Sequence, residues 1–135
     1  MAYLILCIRA AGVIQLVDAA ANVALPRKIG LRENLSGVSP LIRQIFLSHW
    51  AYIIFILAAF GILCWFFAPE LVGASSLGRF LSLLLAVFWL PRAFIQLFYF
   101  DPEFRRQNRA ADIVFIVSSL FLGAVFTAAA LGVGR

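Results

Sequence analysis

Two charged residues lie inside apolar stretches, where a charge needs a partner. Asp18 interrupts the first apolar stretch, and Arg92 lies in a run from Phe80 to Phe100 that is almost wholly apolar. A guanidinium stays charged at physiological pH because its pKa exceeds about 12, so Arg92 requires a carboxylate, a carbonyl or water. The Asp18 carboxylate can be that partner, or it can bind a proton or a cation. The pair predicts either an intramembrane clamp between helices or a proton-binding site.

Polar side chains accompany each charge at helical spacing. Each charge belongs to a set of three residues spaced by three and four positions, which places the set on one helix face. The two sets are Gln15, Asp18 and Asn22, and Trp89, Arg92 and Gln96. Pro91 has no backbone N–H, so the carbonyl of Val87 is left open as an acceptor near Arg92. His49 and Asp112 are predicted to cap the same cluster from the second and fourth helices. These eight polar residues form the candidate binding or ion-pair site.

The composition indicates a membrane protein. Of 135 residues, 64% are hydrophobic and only 13% are charged. Soluble domains are about 45–50% apolar and about a quarter charged, so one soluble core cannot hold this excess. The net charge of +5 does not predict nucleic-acid binding, because the sequence has no basic face with interleaved polar residues.

Four stretches are long enough to cross a bilayer, which takes about 20 apolar residues per helix. Their predicted bounds are residues 3–25, 40–67, 76–100 and 108–132. Pro26 is predicted to stop the first helix, Ser39 and Pro40 to start the second, and Asn108 to cap the fourth. The predicted fold is all-α, an integral membrane four-helix bundle that forms a single domain over residues 1–135.

Loop charges predict the orientation of these helices. The first and third loops carry seven basic residues, and the second loop and the C-terminus carry two: Arg27, Lys28, Arg32, Arg43, Arg105, Arg106 and Arg109 against Arg79 and Arg135. Basic loops stay in the cytoplasm. We therefore expect a multi-pass protein of the cell (inner) membrane with its N- and C-termini outside the cytoplasm.

The predicted depths of the two buried charges agree. At 1.5 Å per residue, Asp18 lies about 6 Å to the cytoplasmic side of its helix centre near Ile14. Arg92 lies about 6 Å to the same side of its own centre near Phe88. Pairing would offset at least about 2.5–3.5 kcal/mol for each isolated charge, provided that the first and third helices are neighbours.

Three functions are consistent with these features. The first is a structural or accessory subunit of a membrane complex without enzymatic activity, in which the Asp18–Arg92 pair clamps helices. The second is a dimeric proton-coupled small-molecule transporter that uses Asp18. The third is a module that binds an anionic lipid or a quinone at Arg92, Trp89 and Gln96. Small residues on several helices are typical of close helix packing, which can close an internal bundle or leave one face for a homodimer or a larger membrane complex.

Other chemistry has little support in the sequence. His49 is the only histidine, and Cys7 and Cys64 are isolated, so neither a metal site nor a haem site is expected. Asp101 and Glu103 flank Pro102, and we interpret Asp101 as a helix cap rather than as part of a catalytic pair. No nucleophile, dinucleotide or Walker motif is present.

Size and span count are similar to those of the small multidrug resistance transporters, which also carry an acidic residue in the first helix. That family has a glutamate, whereas this chain has Asp18, and the family's aromatic and glycine motifs in the later helices have no match here. An arginine as deep as Arg92 is unusual beside a cationic substrate. The resemblance concerns architecture and implies no activity.

Overall fold

The computed structural model describes residues 1–133, and every regular element in that range is a helix. The seven helices are α1 (Ala2–Lys28), α2 (Leu31–Asn34), α3 (Pro40–Phe66), α4 (Ala68–Val72), α5 (Ser76–Phe98), α6 (Pro102–Gln107) and α7 (Arg109–Leu131). Helices α1, α3, α5 and α7 are long and apolar enough to cross a membrane. The prediction of an all-α fold with four such helices is confirmed. Arg135, one of the charges counted in the topology argument, lies outside the described residues.

The helices are organised as two compact units. One comprises Gly12–Phe66, and the other comprises Met1–Ala11 together with the chain from Phe67 onward. Helix α1 therefore contributes to both units. The arrangement as one domain over the whole chain stays a prediction.

Side-chain caps set the starts of two helices. The Ser75 Oγ accepts a hydrogen bond from the backbone N–H of Gly78 at 3.0 Å, and α5 begins at the next residue. The Asp101 carboxylate accepts from the backbone N–H groups of Glu103 and Phe104 at 3.4 and 3.2 Å. Both residues satisfy N–H groups that the first turn of a helix leaves without partners. Asp101 thus has the capping geometry that the sequence predicted.

Pro26 does not end the first helix, contrary to the prediction, and α1 continues to Lys28. Because proline has no N–H, the carbonyl of Asn22 loses its usual partner one turn later. The Trp50 Nε1 of α3 donates to that carbonyl at 3.2 Å. A side chain from another helix thus replaces the missing backbone bond, and the helix passes through the proline.

This replacement predicts an energetic coupling between Trp50 and Pro26. Trp50→Phe should lower the free energy of unfolding by about 1 kcal/mol, because the Asn22 carbonyl loses its donor. In a Pro26→Ala background the new backbone N–H supplies the donor, so the same Trp50 substitution should cost clearly less. A double-mutant cycle in detergent measures the difference. Equal costs in both backgrounds would contradict the explanation.

Within the unit of residues 12–66, α1 and α3 approach each other at two glycines. A Cβ atom added at Gly12 would lie 2.9 Å from the carbonyl oxygen of Gly61, and one added at Gly61 would lie 2.6 Å from the Leu16 Cγ. Close by, the fully buried Gln15 donates from Nε2 to the Cys64 Sγ at 3.4 Å. Such close backbone contact gives dispersion attraction between the two helices.

In the other unit, α5 packs along α7, and the short helices α4 and α6 contact this pair. The Leu90 side chain occupies the space beside Gly123, where an added Cβ would lie 2.4 Å from the Leu90 Cδ2. The Ser82 Oγ donates to the Leu71 carbonyl at 3.0 Å and ties α5 to α4. Trp89 and Phe126 are fully buried or nearly so and are the largest side chains of the core.

Candidate functional site

Asp112, in the first turn of α7, lies at the centre of the best-defined polar cluster. Gln96 of α5 donates from Nε2 to the Asp112 Oδ1 at 2.6 Å. Arg105 of α6 donates from Nε to both carboxylate oxygens at 3.0 and 3.1 Å, and from Nη2 to Oδ2 at 3.0 Å. The Arg105 Nη1 donates to the carbonyl of Leu97 at 2.8 Å. We call Gln96, Arg105 and Asp112 the polar staple, because it joins α5, α6 and α7.

The electrostatics of the staple favour a permanent ion pair. Hydrogen bonding to Asp112 raises the pKa of Arg105 above its usual value, against the opposing effect of desolvation. The Asp112 side chain is 9% exposed and that of Arg105 is 21% exposed, so water reaches the pair only at its edge. A carboxylate in the first turn of a helix also interacts favourably with the helix dipole. With both oxygens already accepting hydrogen bonds, Asp112 is arranged to hold helices together.

Arg105 is the member of this cluster that sequence reasoning missed. It was counted only as a loop charge, whereas Gln96 and Asp112 were among the candidate site residues. Arg105 precedes Asp112 by seven residues, which is two turns of a continuous helix. The break at Asn108, where α6 ends and α7 begins, hid that spacing.

Substitutions in the staple should follow a definite order of thermal stability. Asp112→Ala should destabilise most because it leaves the Arg105 guanidinium and the Gln96 amide without their acceptor. Asp112→Asn should be milder, and Arg105→Lys milder still, because an ammonium keeps the charge but not the forked geometry. Melting temperatures in one detergent give the order. Exposed Arg79 provides the control, and an Arg79→Lys effect as large as that of Asp112→Ala would contradict this role.

Arg92 lies on α5 with its guanidinium over an aromatic ring. Its Cζ is 4.7 Å from the centre of the Phe115 ring on α7 and 5.8 Å from that of Phe100. A cation over a ring face is attracted by the ring quadrupole, more strongly where water is excluded. Trp89, predicted to share a polar face with Arg92, is 2% exposed and packs edge-on against Phe88 with ring centres 5.4 Å apart.

Asp18 lies on α1 in the unit of residues 12–66, and its Oδ2 atom is shielded from solvent. Two residues, Asn22 and Gln15, are predicted to share its face. Asn22 donates from Nδ2 to the backbone carbonyl of Asp18 at 2.8 Å, and Gln15 donates to Cys64. Arg92 belongs to the other unit. The pairing of Asp18 with Arg92 stays a prediction.

No protein-family model, curated protein or solved structure matches this chain.

His49 is exposed on α3, and its Nδ1 lies 2.8 Å from the carbonyl oxygen of Ile45 on the same helix. It lies in a different unit from Asp112, and a cap shared by the two stays a prediction. Within residues 1–133, no group of three or more His, Cys, Asp or Glu side chains is placed to hold a metal ion. The structure thus brings Gln96 together with Asp112 among the predicted site residues, and adds Arg105.

Proposed function

We propose that this chain is an integral membrane protein without enzymatic activity that acts as a structural or accessory subunit of a membrane complex. Four helices of sufficient length and apolarity support insertion into a bilayer. The seven basic residues of the first and third loops support an orientation with both termini outside the cytoplasm, in the cell (inner) membrane. The helical clamp between Asp18 and Arg92 is part of this proposal.

The polar staple is the observation that carries the proposal. Its carboxylate accepts four hydrogen bonds from Gln96 and Arg105, and these bonds connect three successive helices. A catalytic or transporting carboxylate needs an open position for a proton, a metal or a substrate. In the staple that capacity is occupied by the protein's own side chains, as expected for a group that stabilises packing.

Helix α3 offers a surface for a partner. Of the 27 residues of α3, Leu57, Gly61 and Cys64 are buried, and these three lie on its packed side. Large apolar side chains cover the rest, among them Tyr52 and Phe55, each 67% exposed. Either lipid or another membrane helix can cover such a face. An accessory subunit would contact its complex through this surface.

Site-specific photocrosslinking in native membranes tests the proposal. A benzophenone side chain at Phe55 on α3 should give a discrete protein adduct, and the same group at exposed Val114 on α7 is the matched control. Adducts with one and the same partner protein that form from positions on α3, and not from Val114 on α7, support the role of a subunit. Lipid adducts alone, from every exposed position tested, would contradict it. Resistance of the protein to alkaline extraction checks insertion separately.

The orientation predicts unequal labelling of two loop positions. In a chain with Cys7 and Cys64 replaced by alanine, a cysteine at exposed Ser36 should react with an impermeant maleimide only after the membrane is permeabilised. A cysteine at exposed Ala74, in the second loop, should react in intact cells. Labelling in the opposite order would overturn the orientation.

A dimeric proton-coupled small-molecule transporter that uses Asp18 is the second candidate, and the shielded Oδ2 of Asp18 favours it. A carboxylate removed from water can bind and release a proton when a ligand arrives. Reconstituted protein should then release protons when ligands are added, and Asp18→Asn should abolish the release while the fold survives. The lipid or quinone site at Arg92, Trp89 and Gln96 gains no such support, because Trp89 is buried and Gln96 donates to Asp112.

A further inference from the structure

The first loop lines a half-open cavity of about 520 Å³ at the junction of α1, α2 and α3. Three arginines and one acid line it together with apolar side chains: Arg27, Arg32, Arg43 and Glu33. Ligand sites in proteins commonly enclose about 300–1,000 Å³, so the cavity is large enough for a phospholipid headgroup. All of its lining residues lie within the unit of residues 12–66.

A second, smaller cavity of about 230 Å³ lies beside the first. Pro26, Leu31 and Leu47 line both, so the two spaces share a wall. The smaller one extends between α1 and α3 past Val23 and Ile54, and its lining is almost wholly apolar. The larger, charged cavity, which we call the vestibule, thus lies next to the smaller, apolar one, which we call the groove, along α1 and α3.

Local structure holds the vestibule in shape. Gly30 has φ 59°, a left-handed conformation that lets the chain turn sharply from α1 into α2. Leu31 is 8% exposed and anchors α2, while the Asn34 Nδ2 donates to the Ile29 carbonyl at 2.9 Å. The loop between the first two long helices is therefore an ordered wall.

The charge of the vestibule favours an anion as its ligand. Three cations and one anion line the vestibule, and the Arg105–Asp112 and Arg106–Glu103 ion pairs involve none of its arginines. Arg27, Arg32 and Arg43 are all exposed, so their guanidinium groups are available to an anion. Guanidinium binds phosphate oxygens in a forked geometry. The apolar groove fits a hydrocarbon chain, which inorganic phosphate lacks.

We infer that residues 22–54 form a binding site for an anionic phospholipid, with the phosphate among Arg27, Arg32 and Arg43 and an acyl chain along the groove. Basic pockets between membrane helices on the cytoplasmic side bind such headgroups. The inference rests on the proposed membrane insertion with the first loop at headgroup level. It assigns a binding role to loop arginines whose charges otherwise only determine the orientation of the helices.

Native mass spectrometry of the whole protein tests the inference. Insertion is checked first by alkaline extraction, so that a failure of the proposed function is recognised separately. Purified protein is then titrated with phosphatidylglycerol or with zwitterionic phosphatidylcholine, and phosphatidylglycerol should bind at least about tenfold more tightly. Replacing Arg27, Arg32 and Arg43 by glutamine should weaken phosphatidylglycerol binding about fivefold per arginine, and on the order of a hundredfold together.

The matched control removes the same charge elsewhere. Arg9, Arg79 and Arg109 are exposed and line neither cavity, so their triple replacement by glutamine should leave the affinity within about twofold. Glu33→Gln should tighten phosphatidylglycerol binding because it removes the one anion of the vestibule. This gain keeps the inference testable if the triple arginine variant fails to fold.

The apolar groove provides a test that distinguishes binding of a lipid from binding of a free anion. Ala51→Phe, which places a ring in the smaller cavity, should weaken phosphatidylglycerol binding, and inorganic phosphate at millimolar concentration should not displace the lipid. Three outcomes would overturn the inference: equal binding of the two lipids, an equal loss in the control triple variant, or full displacement by phosphate.

Discussion

Gly12→Leu should lower the free energy of unfolding by at least about 3 kcal/mol, at the upper end of the usual cost of overpacking. Even the first added atom, the Cβ, would lie 2.9 Å from the Gly61 carbonyl oxygen and 3.1 Å from the Cys64 Cβ. The first obstacle is backbone, which cannot rotate away as the end of a side chain can. The helices α1 and α3 must separate, and the Gln15–Cys64 hydrogen bond lengthens with them. Reversible unfolding in mixed micelles with increasing dodecyl sulfate measures the loss.

Gly37→Leu is the matched control for this experiment. No atom lies within 4 Å of a Cβ added at Gly37, so the same change of residue type should be nearly neutral there. Gly12→Ala should fall between the two. Equal stability of the Gly12 and Gly37 leucine variants would show that α1 and α3 are not held in the close contact described.

The second large effect is expected at Asp18. If its carboxylate neutralises Arg92 within a bilayer, Asp18→Asn leaves the guanidinium without a counter-charge, at a cost of at least about 2.5–3.5 kcal/mol. Folded yield in membranes should fall accordingly. The exchange of Asp18→Arg with Arg92→Asp should restore part of it. Rescue is incomplete because an aspartate at position 92 cannot form the contact that Arg92 makes with the Phe115 ring, 4.7 Å away.

The control for this exchange is Arg9→Gln, which removes an exposed charge from the same helix and should leave the yield nearly unchanged. Size-exclusion profiles of fluorescently tagged protein report the folded fraction. Fully stable single variants, together with an exchange that rescues nothing, would rule out the clamp. The predicted orientation of the helices would not be affected, because it depends on the loop charges.

Several local features could be predicted from the sequence, although the end of α1 could not. Each of the four apolar stretches contains one long helix, and α3 and α5 begin at the predicted Pro40 and Ser76. Asp101 caps the helix that follows it, as predicted. These features depend on residues within one turn of each other, where composition, proline and side-chain caps decide the backbone.

The candidate site was predicted only in part, since its contacts depend on how the helices are rotated about their axes. Polar residues spaced by three and four do share a helix face, yet Gln15 bonds to Cys64 and Asn22 bonds to its own helix. Gln96 and Asp112 belong to the staple, but their shared partner Arg105 was predicted only as a topology charge. Spacing predicts the helix face on which a residue lies. It does not predict which residue of a neighbouring helix that residue contacts.

By itself the sequence determined the all-helical class and the four apolar helices, because hydrophobicity and helix breakers act along the chain. Tertiary structure decided the rest. It let α1 continue through Pro26 by bringing Trp50 to the open Asn22 carbonyl, and it gathered three loop arginines around one cavity. These arrangements need side chains distant in sequence to meet, and that meeting depends on helix rotation and close approach at small residues such as Gly12.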